Sequence, residues 1–133
     1  MTETEDVYLS KAEESLAGAV SEFANRRFNN CANRCYYGCF QAAVSALRDA
    51  GLAPSGERAT WSHEQIQATF SRELIRRRKL IGSEFRDVLP RLYLVREAAD
   101  YKEDLVSEIQ AARALQRARG FLQAVRKQGG QAR

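Results

Sequence analysis

The chain has 133 residues, of which 44% are apolar and 29% charged, with a net charge of +4 and a pI near 9.2. That length suits one domain spanning residues 1–133 with its own core, and the composition is that of an ordinary globular protein rather than a disordered or fibrous one. No run approaches the roughly 20 apolar residues of a membrane span, the acidic start at Glu3, Glu5 and Asp6 is unlike a signal peptide, and the mild positive charge permits a nucleic-acid partner without demanding one.

The expected location is therefore cytoplasmic, away from any membrane. Only two prolines, Pro54 and Pro90, stand among many Ala, Leu, Arg, Glu and Gln, which argues for helix. No apolar alternation and no Asn-Gly hairpin argue for a strand.

The first helix is expected from about Glu5 to Ala24, with Leu9, Ala12, Leu16, Ala19, Val20 and Phe23 on one stripe. Thr2 and Glu5 have the spacing of a capping box. Asn25-Arg26-Arg27 reads as a turn. A long helix follows from about Phe28 to Ala50 and is stopped by Gly51. Its apolar face carries Phe28, Ala32, Cys35, Tyr36, Cys39, Phe40, Ala43 and Leu47. Its other face carries Asn30, Arg34, Tyr37, Gln41 and Arg48, and is either solvated or part of a shared cleft. Tyr37 speaks for the cleft, since an amphipathic ring on a polar face suits a partner surface.

Cys31, Cys35 and Cys39 are four residues apart on this helix and read as small buried thiols. A zinc site needs a fourth ligand, and the single histidine, His63, lies in another segment. Neighbours on one helix are poorly placed for a disulfide. No metal and no cofactor is expected.

After a loop over residues 52–60, Ser62 and Gln65 form a capping box, with Trp61 and Ile66 placed as a hydrophobic staple. His63 falls in the first turn, where it either fills space or acts as an acid–base group. The helix continues through Ile66, Phe70 and Leu74 into Arg76-Arg77-Arg78-Lys79. Those cations either complement the helix C-terminus or, with Arg72 one turn earlier, bind phosphate. Gly82-Ser83 breaks the chain, and Ser83 is expected to cap the next helix. Pro90 either kinks that helix or marks its restart.

The fourth helix places Phe85, Val88, Leu92, Val95 and Ala99 on one stripe. Arg96 and Asp100 lie at its edge one turn apart, beside Tyr93, Glu97 and Tyr101. An anion-gripping site and an ordinary salt-bridged rim both fit that edge. Lys102 to Val106 is a polar link. Ser107 and Gln110 form another capping box. The last helix is expected to run to about Lys127, with Ile109, Ala112, Leu115, Leu122 and Val125 inward and residues 128–133 loose, giving a core over about 5–127.

The expected architecture is all-α: an up-and-down bundle of four long helices with one shorter helix before the fourth. No Gly-rich phosphate loop, His-Glu-x-x-His, paired Cys-x-x-Cys or Gly-x-Ser-x-Gly occurs, so P-loop, zinc-hydrolase and serine-hydrolase chemistries find no support.

Four segments in order resemble a HEPN domain, the helical domain named for higher eukaryotes and prokaryotes nucleotide-binding. They are Cys35-Tyr36-Tyr37-Gly38-Cys39-Phe40-Gln41-Ala42-Ala43, then His63 to Phe70, then Arg96-Glu97-Ala98-Ala99-Asp100-Tyr101, and finally Ala112 to Leu122. The resemblance spans about Tyr8 to Arg126 and is nearest to small prokaryotic single-domain members with an Arg-x-x-x-Asp-Tyr motif. It implies a homodimer with this motif from both chains in one cleft.

Many members of the family are metal-independent ribonucleases, toxins paired with a nucleotidyltransferase-like antitoxin, or parts of antiphage systems. Their catalytic Arg is followed after four to six residues by His. Here Arg96 matches the Arg, and Tyr101 stands where the His would be. A tyrosine, with an ordinary pKa near 10, is a poor base at neutral pH.

The resemblance thus implies two readings. One is an RNA-engaging, toxin-like ribonuclease: Arg96 and Tyr101 act on the phosphate, Asp100 and Glu97 orient the Arg, and His63 is held in reserve. Arg34, Tyr37, Arg72, Arg76, Arg77, Arg78 and Lys79 would then contact the nucleic acid. The other is a non-catalytic dimer that binds a nucleotide or regulates a nucleotidyltransferase-like partner.

Overall fold

A computed structural model describes residues 6–54, 60–101 and 105–132. Among them every regular element is helical, and the architecture is the expected all-α bundle. α1 runs Val7–Ala24 and α2 runs Phe28–Asp49. α3, His63–Thr69, widens without a break into a π-helical coil, Phe70–Arg77. A single 3-10 turn, Ser83–Phe85, precedes α4, Val88–Tyr101, and α5 is Glu108–Ala132.

α2 is the central helix, packed against α1, α4 and α5. Its sequence explains this: Cys31, Ala32, Cys35, Cys39, Ala42 and Ala43 are small and fully buried, so neighbouring backbones approach closely. Gly38 faces α1 so tightly that an added Cβ would lie 3.4 Å from the Ala12 carbonyl oxygen. The three thiols are buried and unpaired as disulfides, as their spacing suggested. Burial pushes the Cys39 thiol up. Between their ends the helices hold Leu47, Ile66, Leu74, Leu92, Phe121 and Leu122, all under 2% exposed. Each such side chain contributes about 1.5–3 kcal/mol by leaving water.

α1 starts at Asp6, whose carboxylate accepts from Leu9 N at 3.0 Å and from the hydroxyl of the buried Ser45 on α2. Thr2 and Glu5, the expected capping box, lie outside the described residues. The box at Ser62 and Gln65 forms with both hydrogen bonds at 3.1 Å, and the one at Ser107 and Gln110 at 2.9 and 3.1 Å. Gly51 ends α2 at φ +79°, the left-handed position a helix stop favours. Pro90 sits in the first turn of α4, where its missing N–H leaves nothing unbonded; the first bond there runs from Arg91 N to Asp87 O.

Five expectations change, the first being that Val20, expected on the inward stripe of α1, is exposed. The helix after Ser62 is not α throughout: Arg78 N bonds Glu73 O, five residues back, and the wider coil turns Phe70, Leu74 and Ile75 inward together. Ser83 caps nothing, since the chain enters a 3-10 turn instead of α4 there. On α5 the buried phase is Ala111, Ala114, Leu115, Ala118, Phe121, Leu122 and Val125, while Ile109 and Ala112 face out. Alanine reads weakly in an apolar stripe, yet three alanines let α5 close onto α2. Finally, α5 continues through Gly129 and Gly130 to Ala132; Gly129 is buried against the end of α2, 3.4 Å from Asp49 Oδ2 at its Cβ position. Among the described residues no helix is long and apolar enough to cross a membrane.

Candidate functional site

Arg96 follows Leu92 by one turn on the buried face of α4, and that face meets α2. The consequence is an arginine only 9% exposed. The edge position expected from the helical period is thus covered by neighbouring rings. Its guanidinium carbon lies 5.7 Å from the centre of the Tyr36 ring and 5.1 Å from Tyr37, both on α2, and 5.6 Å from Tyr101. The negative ring faces hold the cation where little water reaches it.

Asp100 supplies the counter-charge. Its Oδ2 is 3.1 Å from Arg96 Nε, though off the N–H direction, so the attraction is Coulombic rather than a directed hydrogen bond. Asn33 of α2 donates to the same Asp100 oxygen at 2.9 Å and fixes the carboxylate from across the helix pair. Arg96 Nη2 donates to the Tyr101 hydroxyl at a long 3.4 Å. Burial opposes the charge on Arg96, but Tyr37, Tyr101, Asp100 and Tyr36 outweigh it and hold the pKa above the ordinary arginine value.

Behind the arginine stands an aromatic wall. Tyr36 meets Tyr93 edge-on at 5.6 Å and His63 at 6.3 Å, and His63 packs on Tyr93 at 4.5 Å. Tyr36 is 1% exposed, and its hydroxyl is buried with no hydrogen-bond partner among the described residues. Burial pushes its pKa up against the opposing pull of Arg96. Glu97 does not touch Arg96; it accepts from the Tyr93 hydroxyl at 3.1 Å, and that bond, ahead of burial, raises the Tyr93 pKa.

The structure thus gathers Arg96, Tyr101, Asp100 and Tyr37 into one cluster and sets His63 and Glu97 one ring behind. Sequence reasoning missed Asn33 and the ring role of Tyr36; the adjacent Tyr36-Tyr37 pair was the available signal. Arg34 lies elsewhere, its stem across Gly18 of α1.

The basic run divides. Glu73 binds Arg77 at 2.7 Å, Arg72 at 3.3 Å and Arg78 at 3.8 Å, and Arg78 also donates to the Ala50 carbonyl at the end of α2. Arg77 first, and Arg72 after it, hold the Glu73 carboxyl below its usual range against the opposing effect of burial. Arg76 and Lys79 have no acidic partner among the described residues. Among those residues, too, no three His, Cys, Asp or Glu side chains gather as metal ligands.

A helical bundle whose fourth helix turns an Arg-x-x-x-Asp-Tyr motif onto a tyrosine pair of the second is one recognisable class of domain. The HEPN domain family model matches residues 6–128, and the chain belongs to that family. Domains of this family are generally RNA-related or nuclease-like, and commonly dimerise. No curated protein matches the chain.

Proposed function

We propose that this HEPN protein engages RNA as a homodimer, with Arg96 and Tyr101 acting on a backbone phosphate as a metal-independent ribonuclease of the toxin or antiphage type. The observation that carries this reading is Arg96 itself. An arginine nine-tenths buried, held by three tyrosine rings and aimed by one carboxylate, is a preorganised positive charge. Tyr101 places a hydroxyl 3.4 Å from it, close enough for both to reach one phosphate group. The neighbouring ribose 2′-hydroxyl would attack phosphorus and release its proton to water as the bond to the leaving 5′-oxygen breaks; Arg96 would take the charge developing on the non-bridging oxygens, and Tyr101 would give its proton to the leaving oxygen and recover one from water. Tyr101 does not need to act as a base in this arrangement.

Exposed apolar side chains beside the motif support the proposed second copy. Leu94 and Tyr101 are seven residues apart on one face of α4, and Leu105 and Ile109 follow in the chain; all four are 64–80% exposed. Apolar surface of this kind beside a cation supports a shared cleft.

The test is cleavage of labelled RNA by the purified protein, with Arg96→Ala and Tyr101→Phe beside it. Arg96→Ala should slow cleavage by about a hundredfold or more while the circular dichroism spectrum stays native. Tyr101→Phe removes only the hydroxyl and should also slow it. A wild-type protein that cleaves no RNA, with both variants folded, sinks the enzyme reading. Cleavage untouched by Tyr101→Phe removes Tyr101 from the chemistry and turns attention to His63.

One feature favours a second reading: Arg96 is already occupied by Asp100 and covered by rings. In that case the dimer binds a nucleotide or a nucleotidyltransferase-like antitoxin partner and regulates it without cleaving. Retention of such a partner by a protein that cleaves nothing would support it.

A further inference from the structure

Glu73 sorts the basic run into two sets. Arg72, Arg77 and Arg78 converge on its carboxylate. Arg76 and Lys79 instead share a concavity with Arg86, which directly follows the 3-10 turn. With Ile75, Ile81, Gly82 and Ser83 these three cations line an open concavity of about 500 Å³. Arg86 pairs only loosely with its exposed neighbour Asp87, at 3.8 Å, and the Glu84 carboxylate lies against Gly82 at the edge of the hollow, so three cations face one nearby carboxylate there.

Lys79 occupies a costly backbone position. The chain leaves the coil through it at φ +55°, with Leu80 N and Ile81 N both bonding the Leu74 carbonyl. Helices ordinarily end at this left-handed position with glycine, because a Cβ is strained there. Lys79 thus stands at such a site beside two further cations and a hollow.

We propose that Arg76, Lys79 and Arg86 form a phosphate-binding pocket that holds the backbone of an RNA strand outside the Arg96 centre. This deepens the RNA reading above and rests on it. Arg86 lies just ahead of α4, and the helix rise separates Val88 from Arg96 by roughly 12 Å along the axis. The pocket reads charge and carries no base specificity.

The experiment is fluorescence anisotropy with a fluorescein-labelled oligouridylate, between about 50 and 200 mM salt. It is done in the Arg96→Ala background, so that binding is read apart from cleavage. One variant carries Arg76→Ala, Lys79→Gly and Arg86→Ala. Its control carries Arg72→Ala, Arg77→Ala and Arg78→Ala and loses the same charge.

The pocket variant should bind at least tenfold more weakly at low salt. Its log–log salt slope should flatten by about 2, three contacts at about 0.7 each for a single strand. The control should keep the parent slope. Equal losses in both variants, or none in the pocket variant, overturn the pocket. Lys79→Gly alone provides the folding check: glycine meets φ +55° without strain, so Tm should not fall, yet the slope should flatten by about 0.7. A parent that binds no RNA overturns the pocket and the RNA reading together. A wild type that binds RNA through these residues but never cleaves it leaves the pocket standing and removes only the catalytic role.

Discussion

Removing Asp100 should harm the fold more than removing the arginine it serves. The Arg96 side chain is 11% exposed and that of Asp100 27%, with 3.1 Å between charged atoms. Breaking a fully buried pair costs about 3–5 kcal/mol, because one charge is left without compensation. An exposed pair is worth under about 1 kcal/mol. This pair lies between the two limits, so Asp100→Ala should lose about 2 kcal/mol. Arg96→Met is different. It withdraws the buried charge, keeps a long apolar chain against Tyr36, Tyr37 and Tyr101, and leaves Asp100 near water with its Asn33 hydrogen bond. Its stability should stay within about 1 kcal/mol of wild type. The double variant should be no less stable than Arg96→Met, since the cost of Asp100→Ala exists only while Arg96 is charged. Urea unfolding at one fixed protein concentration measures all three. If Arg96→Met loses as much as Asp100→Ala, or if the two losses add, Arg96 is a structural keystone and not a charge held ready for a ligand.

Two further outcomes follow from other parts of the bundle. Gly38→Val should destabilise by about 1–3 kcal/mol in thermal denaturation, because its Cβ alone already touches Ala12, Ser15 and Leu16 of α1 at 3.4, 3.5 and 3.7 Å and two further methyl groups would press on that helix; an unchanged Tm would mean that α1 and α2 are not so closely packed. Glu73 has a folded pKa below its unfolded value, so its contribution is complete above about pH 4.3 and fades as pH falls through the folded value. Glu73→Gln should therefore narrow the stability gap to wild type on acidification, and a gap constant from pH 7 to about 3 would contradict the three-arginine cluster.

Much of this protein was written locally in its sequence. Helical period placed the faces of α2, Ser62 with Gln65 and Ser107 with Gln110 marked two helix starts, Gly51 marked a stop, and the cysteine spacing placed three thiols inside. These signals involve residues a turn or two apart, so the chain alone determines them. The order of four motifs was also enough to point to the HEPN family.

What the tertiary structure decided are the meetings between distant segments. Period set Arg96 on an edge, but only the packing of α4 on α2 covered it with Tyr36 and Tyr37 and brought Asn33 to Asp100, 67 residues away. The run Arg76-Arg77-Arg78-Lys79 looked uniform until the coil widened to i→i+5 spacing and Glu73 drew Arg77 and Arg78 to itself. Arg76 and Lys79 were left beside Arg86 in a hollow. The phase of α5 was equally undetermined, because alanine is nearly neutral between core and surface and only the close approach of α2 chose Ala111, Ala114 and Ala118 over Ile109. Hydrophobic period states which face of a helix turns inward. Which charges meet there depends on the neighbouring helices, and that is a property of the packed chain.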